Sequence, residues 1–241
     1  MMPYQRSAAI YDAIYSTQDK DYVLETAKLL SFVRQHKQSD GSRLLDVGCG
    51  TGVHLSHLVK QFDCQGLDKS DEMLALAREK LPQVPLHWGD MADFELGERF
   101  DVIICLFSAI GYAETLPRLS QTMSTFARHL LPGGVALVEP WFGPGVLNTG
   151  KVYCTFVDQP DLKVARMNIN RVEGRLSYLD FHYMVGTPAG IETFCETHVM
   201  GIFTHEEYLQ AFKDAGLRVE YDATGLDGRG LYIGIQEPRD G

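Results

Sequence analysis

Asp46, Gly48, Gly50 and Gly52 fall at alternate positions in LLDVGCGTGVHL, Leu44 to Leu55, behind a run that reads as a strand and at the opening of a helix. Glycines so spaced let backbone pass close to a ligand with no Cβ in the way, and the strand-end acid supplies negative charge. A dinucleotide-binding loop, G-x-G-x-x-G, needs a third glycine where Val53 stands. A P-loop needs Gly-Lys-Ser/Thr, and here Gly52 leads into Val53 and His54. What remains is D-x-G-x-G-x-G, whose acid suits a cationic ligand better than a pyrophosphate.

Other residues of reactive type are scattered more widely. Asp68 and Asp90 stand at the ends of later strand-like runs, CQGLD and PLHWGD; an acid there commonly caps the next helix, so neither identifies a ligand alone. His54 and His57 are three apart with no third ligand in reach, and no metal is expected. Five cysteines, Cys49, Cys64, Cys105, Cys154 and Cys195, never in C-x-x-C spacing, read as buried free thiols. His182 and His198 lie in alternating β-type runs, where each is either a satisfied sheet residue or a base for a hydroxyl nucleophile. Arg229, between Gly228 and Gly230, offers a guanidinium to a phosphate or to solvent.

The elements that must position these residues alternate from Arg43 to Glu139. The strand candidates RLLDVG, CQGLD, PLHWGD, FDVIICLF and GVALVEP are separated by amphipathic segments, the signature of a parallel sheet covered by helices. Ser70 and the acids after it open one helix and Pro82 follows its end. RLSQTMSTFARHLLPGG reads as another, closed by Pro132, Gly133 and Gly134, and KDYVLETAKLLSFVRQH as a helix covering one edge. After Trp141 the alternation changes to period two in KVYCTFV, LKVARMNINRV, RLSYLDFHYMV and IETFCETHVMGIF, an antiparallel β insertion. Thr204 and Glu207 form a capping box on the next helix, Gly216 stops it, and the strands LRVEYDA and GLYIGIQE finish the chain.

The 241 residues, 45% hydrophobic, suffice for one sizeable core. A formal charge of −10 works against nucleic-acid and anionic-membrane partners. No apolar run is long enough to span a bilayer, and MMPYQRSAAIYD lacks the order of a signal peptide, so a cytoplasmic protein is expected.

The glycine loop, Asp68 and GDM, in that order at strand ends, resemble the class I methyltransferases that use S-adenosylmethionine. That resemblance implies a doubly wound α/β fold, a mostly parallel seven-stranded Rossmann-like sheet with the antiparallel insertion. Residues 1–141 and 202–241 would form the cofactor domain, and 142–201 the substrate side with room for a homodimer contact. It implies that Asp46, Gly48, Gly50 and Gly52 hold the cofactor, that Asp68 takes both ribose hydroxyls, and that Asp90 meets the adenine amino group under a lid of Met91. It also places His54, Lys69, Met73 and Leu106 among the cofactor-binding residues.

A narrower resemblance runs over nearly the whole chain. GCGTGVHL, WGDMADF, CLFSAIGY, FARHLLPGGVALVEPWF, LDFHYMVGTPAGIE, ETHVMGIFTHEEYLQAFKDAGL and GRGLYIG together look like the dTDP-amino-sugar N-methyltransferases. It implies that Tyr4 approaches the sugar amine, that Tyr11 and Tyr22 lie near the methionine end of the cofactor, and that Trp141, Arg166, His182, His198 and Arg229 belong to the substrate half. Those enzymes carry SSIGH where this chain has SAIGY, so Tyr112 stands in place of an active-site histidine, and Asp68 in place of a longer glutamate. The implied chemistry is in-line attack on a sulfonium methyl with a neutral leaving group, in which orientation contributes up to ~7–11 kcal/mol. An amine must be desolvated and neutral to attack, and Tyr4 and Tyr112 can accept its N–H bonds. The leading reading is an N-methyltransferase acting on the amine of a small molecule, a nucleotide-linked amino sugar; the alternatives are an O- or N-methyltransferase acting on another small metabolite, or a cofactor-binding subunit without catalysis.

Overall fold

The computed structural model describes residues 3–18 and 20–238. Its seven-stranded sheet is built on Arg43–Val47 (β1), Asp63–Asp68 (β2), Leu86–Trp88 (β3), Phe100–Cys105 (β4) and Leu130–Val138 (β5), completed by the late strands Arg218–Asp222 (β10) and Leu231–Ile235 (β11). The spatial order is β10-β11-β5-β4-β1-β2-β3, with β11 antiparallel to both of its neighbours and the rest parallel. Central strands β4 and β11 are buried at every position, as expected of strands covered on both faces. Helices Tyr22–His36 (α2), Val53–Leu58 (α3), Asp71–Lys80 (α4), Leu116–His129 (α5) and His205–Asp214 (α6) surround the sheet.

Local chemistry accounts for several boundaries. Ser70 Oγ accepts from the Met73 amide to cap α4, and Thr204 and Glu207 close a reciprocal box on α6. One boundary departs from expectation: Pro132, Gly133 and Gly134 do not close a helix. Helix α5 ends at His129 and passes directly into β5, and the three residues form a bulge against β4, whose register jumps from Phe100↔Leu130 to Val102↔Val135. Gly133 is required there, since a Cβ would stand 2.8 Å from the Ser39 nitrogen.

The four strands Val152–Gln159 (β6), Leu162–Glu173 (β7), Leu176–Thr187 (β8) and Gly190–Gly201 (β9) form a separate antiparallel meander. Val157, Val164, Phe181, Tyr183, Val185 and Phe194 on its inner face pack against Ile10 and Ile14 of a short helix, Ala8–Ser16 (α1). Sequence periodicity did not reveal α1. It has only nine residues, and its apolar pair finds a partner only in the distant sheet. On its other side Asp12 accepts from the Thr51 hydroxyl at 2.6 Å, so α1 ties the meander to the glycine loop.

Candidate active site

The glycine loop leaves β1 with Gly48, Gly50 and Gly52 at φ 76°, 54° and 76°, conformations that disfavour side chains, and Gly52 caps α3. Asp68, at the end of β2, accepts from the Gly50 amide at 2.8 Å and the Ser70 amide at 2.9 Å. It therefore fixes the loop and opens α4 at once. Asp46 is buried, has no ion-pair partner among the described residues, and is pushed up to about 8 by that burial and by the nearby Asp68 carboxylate. A buried carboxylate under such pressure fits a cationic ligand, whose charge would restore its ionised form.

The other cofactor candidates divide. Tyr22 lies edge-on to the His54 ring, whose Nε2 is 3.0 Å from Glu25 Oε2, while Lys20 donates to the other Glu25 oxygen at 2.6 Å and lies 4.0 Å above the Phe107 ring. Tyr11 lies in the cavity between the sheets, edge-on to Tyr4. Lys69 points away from the loop to Asp90, at 2.7 Å. Asp90 also accepts two bonds from Arg118 Nη2, at 2.7 and 2.8 Å, and one from the Ala92 amide at 3.0 Å. These fill the four acceptor sites of a carboxylate. Although its partial burial works the other way, the bonds from Lys69, Ala92 and Arg118 hold Asp90 down at about 2. An adenine amino group would reach it only where Lys69 or Arg118 lets go. Met73 and Leu106 are buried in the core, and Met91 packs against the neighbouring cluster.

Between the two sheets lies a cavity of about 860 Å³. It gathers Tyr4, Tyr112, Trp141, Arg166, His198 and Arg229, which come from six separate parts of the chain. Tyr112 Oη lies 2.8 Å from Tyr4 Oη and 2.6 Å from His198 Nδ1. Trp141 is fixed by donating Nε1–H to Ser177 Oγ at 2.9 Å. Arg166, on β7, is buried with its guanidinium 4.8 Å from the Phe181 ring, and it has no ion-pair partner among the described residues.

Two expected substrate residues are placed differently. His182 does not face the cavity. The period of two that turns Phe181 and Tyr183 inward turns His182 out, where its Nδ1 lies 3.0 Å from Cys195 Sγ on the exposed face. Arg229 does line the cavity, but its charge is balanced from within the chain: Nη2 lies 3.2 Å from Asp227 and Nε 3.9 Å from Glu139. Its Nη1 donates to Ser108 Oγ at 2.9 Å.

Glu139, Phe107 and Ser108 were not singled out by sequence. Phe107 and Ser108 follow β4 at φ 51° and 59°, which is strained for side-chain-bearing residues. Glu139 Oε2 holds the Phe107 amide at 2.6 Å, and Ser108 Oγ donates to the Pro140 carbonyl at 2.7 Å. Burial, with the neighbouring Asp227, pushes Glu139 up to about 7 against the pull of Arg229. The brace sets the origin of the 3₁₀ helix Ala109–Ala113, and so the position of Tyr112. Glu25 and Glu196 were missed likewise; a glutamate on a helix or strand looks like a surface charge until its partners are known.

The chain is similar to known proteins over most of its length. The family described as a methyltransferase domain matches residues 44–134. The chain is 41% identical over 230 residues to the dTDP-3-amino-3,4,6-trideoxy-alpha-D-glucopyranose N,N-dimethyltransferase of Streptomyces venezuelae, covering 95% of this chain and 97% of the relative. It is 40% identical to the dTDP-4-amino-2,3,4,6-tetradeoxy-D-glucose N,N-dimethyltransferase of Saccharopolyspora spinosa, covering 95% and 92%. Among solved structures, Streptomyces venezuelae DesVI superposes with a TM-score of 0.89 at 41% identity, covering 96% of this chain and 98% of that one. The S-adenosylmethionine-bound CalS10, an amino pentose methyltransferase from Micromonospora echinaspora involved in calicheamicin biosynthesis, gives 0.84 at 37%, covering 98% of each.

Proposed function

This chain belongs to the S-adenosylmethionine-dependent methyltransferases, within the group of dTDP-amino-sugar N,N-dimethyltransferases, and from that footing we propose that it methylates the amine of a dTDP-linked amino sugar, twice. The observation that carries the reading is the extent of the likeness. It spans both sheets, and so includes the meander that walls the cavity of about 860 Å³ and is absent from the shorter methyltransferase-domain match.

Bound S-adenosylmethionine supplies the sulfonium methyl. The protein's part is to hold the amine in line and dry. Gly48, Gly50, Gly52 and Asp68 would fix the nucleoside end and Asp46 would face the cationic end. Tyr4 and Tyr112 would accept the amine's N–H bonds and aim its lone pair, the orientation effect that dominates a displacement with a neutral leaving group. Arg166, a buried cation of the cavity with no ion-pair partner among the described residues, would take the substrate diphosphate. Arg229 would act on Ser108 instead.

We further propose a cytoplasmic enzyme whose partner is a small molecule; no described helix is long and apolar enough to cross a membrane, and acids exceed bases by ten. Residues 142–201 would form the substrate side. Their outer face, which exposes Phe156, Met167, Ile169 and Met184, would meet a second copy of the chain. The test is incubation with S-adenosylmethionine and dTDP-linked 3-amino and 4-amino deoxysugars, read by mass spectrometry. Gain of one and then two methyl groups is expected. Methyl transfer only to a hydroxyl, or to none of these sugars, would overturn the reading.

A further inference from the structure

We infer that Tyr4, Tyr112 and His198 form a hydroxyl-to-imidazole path that removes the proton lost by the substrate amine, with Glu196 as the positioning residue behind the imidazole. The inference rests on the amine-methylation reading and extends it to how the second methyl can be added.

The first transfer forms an N–C bond as the C–S bond breaks and its electron pair goes to sulfur. The amine is left as a cation, and a second attack needs its lone pair back. Tyr4 and Tyr112 are the polar groups placed to meet that proton, and burial drives both phenols well above the ordinary tyrosine range. Neither serves as a phenolate base. Each can accept a proton on oxygen while passing its own along, and so remain neutral.

The geometry provides somewhere for the proton to go. With Tyr112 Oη 2.8 Å from Tyr4 Oη and 2.6 Å from His198 Nδ1, the order in which Tyr4 donates to Tyr112 and Tyr112 donates to Nδ1 gives each hydroxyl proton an acceptor. That order puts the imidazole proton on Nε2. The Nε2 atom is buried with no hydrogen-bond partner, and Glu196 Oε2 lies 3.9 Å from it. A neutral imidazole leaves this N–H unsatisfied; an imidazolium is met by the carboxylate. Glu196 is itself buried and fixed, accepting from the Arg6 amide at 2.7 Å, the Ser7 amide at 3.2 Å and the Ser7 hydroxyl. Burial alone would raise it, but the neighbouring His198 ring and the hydrogen bonds from Ser7 and the Arg6 amide hold it down at about 2, so it stays ionised. The balance is one proton lost by the ammonium at Tyr4 and one gained by His198 at Nδ1, with the imidazolium reset by solvent as product leaves.

The groups facing the path from other elements are Tyr11 and Tyr15 on α1, Asp68 on β2, Tyr183 on β8, and Arg166 on β7, whose guanidinium shares the Phe181 ring with His198. Arg166 opposes the imidazolium and Glu196 favours it; Glu196 lies beside the ring while a phenyl separates Arg166 from it.

The experiment compares single-turnover rates of the first and second methyl transfer to a dTDP-amino sugar, from acidic to alkaline pH. His198→Gln is expected to slow the second transfer about 100-fold near neutrality, with the deficit closing as pH rises and hydroxide takes over. Tyr112→Phe, nearly isosteric, should behave alike, and the double variant should be no slower than the slower single one. Glu196→Gln should move the acid limb of the profile to lower pH. Losses that are uniform across pH, or additive in the double variant, would overturn the path. A second arm needs no substrate: nitrogen NMR of the enzyme bound to S-adenosylhomocysteine should find His198 protonated on Nε2 and accepting at Nδ1. The opposite tautomer would overturn the path even if every sugar is methylated. If no dTDP-amino sugar is methylated while the expected tautomer is found, the substrate reading fails while the hydrogen-bond order of Tyr4, Tyr112 and His198 stands.

Discussion

Arg229 reaches Ser108, 121 positions away in sequence, with a 2.9 Å hydrogen bond from Nη1 to Oγ, and through it the last turn of the chain braces the strained step after β4. Because Tyr112 rides on the 3₁₀ helix that this step begins, Arg229 is proposed to act on the reaction centre through Ser108.

Arg229→Ala is therefore expected to lower kcat more than it raises KM for a nucleotide-linked sugar, and to lower Tm by leaving Glu139 buried without its cation. Removing one partner of a buried pair typically costs ~3–5 kcal/mol, less here because the arginine is partly exposed. Steady-state kinetics and thermal unfolding check this. A rise in KM alone would return Arg229 to the role of phosphate anchor.

That anchor is expected at Arg166. Arg166→Met should keep or raise Tm, since it replaces a buried unpaired cation by an apolar side chain of similar length. It should raise KM for the sugar nucleotide with a smaller change in kcat, and abolish thermal stabilisation by dTDP. Calorimetric titration with dTDP alone, wild type against variant, reads the effect without turnover.

Asp46 is expected to make cofactor binding pH-dependent. With its carboxyl pushed up to about 8, it is mostly protonated in the free protein at neutrality. A sulfonium favours the ionised form, so binding releases up to about one proton and affinity rises with pH until about 8, then levels. The same shift sets the sign for stability. The folded value lies above the ordinary 3.8, so the free fold binds more protons than the unfolded chain, and stability falls as pH rises between these two values. Titrations in buffers of different ionisation enthalpy measure the release, and Asp46→Asn should abolish it.

Asp68→Ala should weaken S-adenosylmethionine binding and also lower Tm, because the amides of Gly50 and Ser70 lose their acceptor, at roughly 1–3 kcal/mol for each group left buried and unsatisfied. Asp68→Glu should be milder. An Asp68→Ala protein with unchanged cofactor affinity would remove this residue from the ribose site.

The sequence by itself determined the parts of this protein that are local. The D-x-G-x-G-x-G loop, the alternation of strands and helices, the Ser70 and Thr204 caps and the period-two meander depend on neighbours within a few residues, where backbone sterics and hydrogen bonding fix the outcome. The same period of two could have moved His182 out of the site, since it alternates with Phe181 and Tyr183, but which face would be inward depended on a core not visible in the strand. The sense of the Pro132-Gly133-Gly134 step depended on the Ser39 backbone that Gly133 approaches. Only the tertiary structure decided the pairings that carry the chemistry: Tyr112 with His198, Glu196 with Ser7, Arg229 with Ser108, and Asp90 with Arg118. Each joins residues at least 28 positions apart. A charge or hydroxyl has no preferred partner encoded in its own segment, and its role is set by whichever group packing brings within 3 Å when water is excluded.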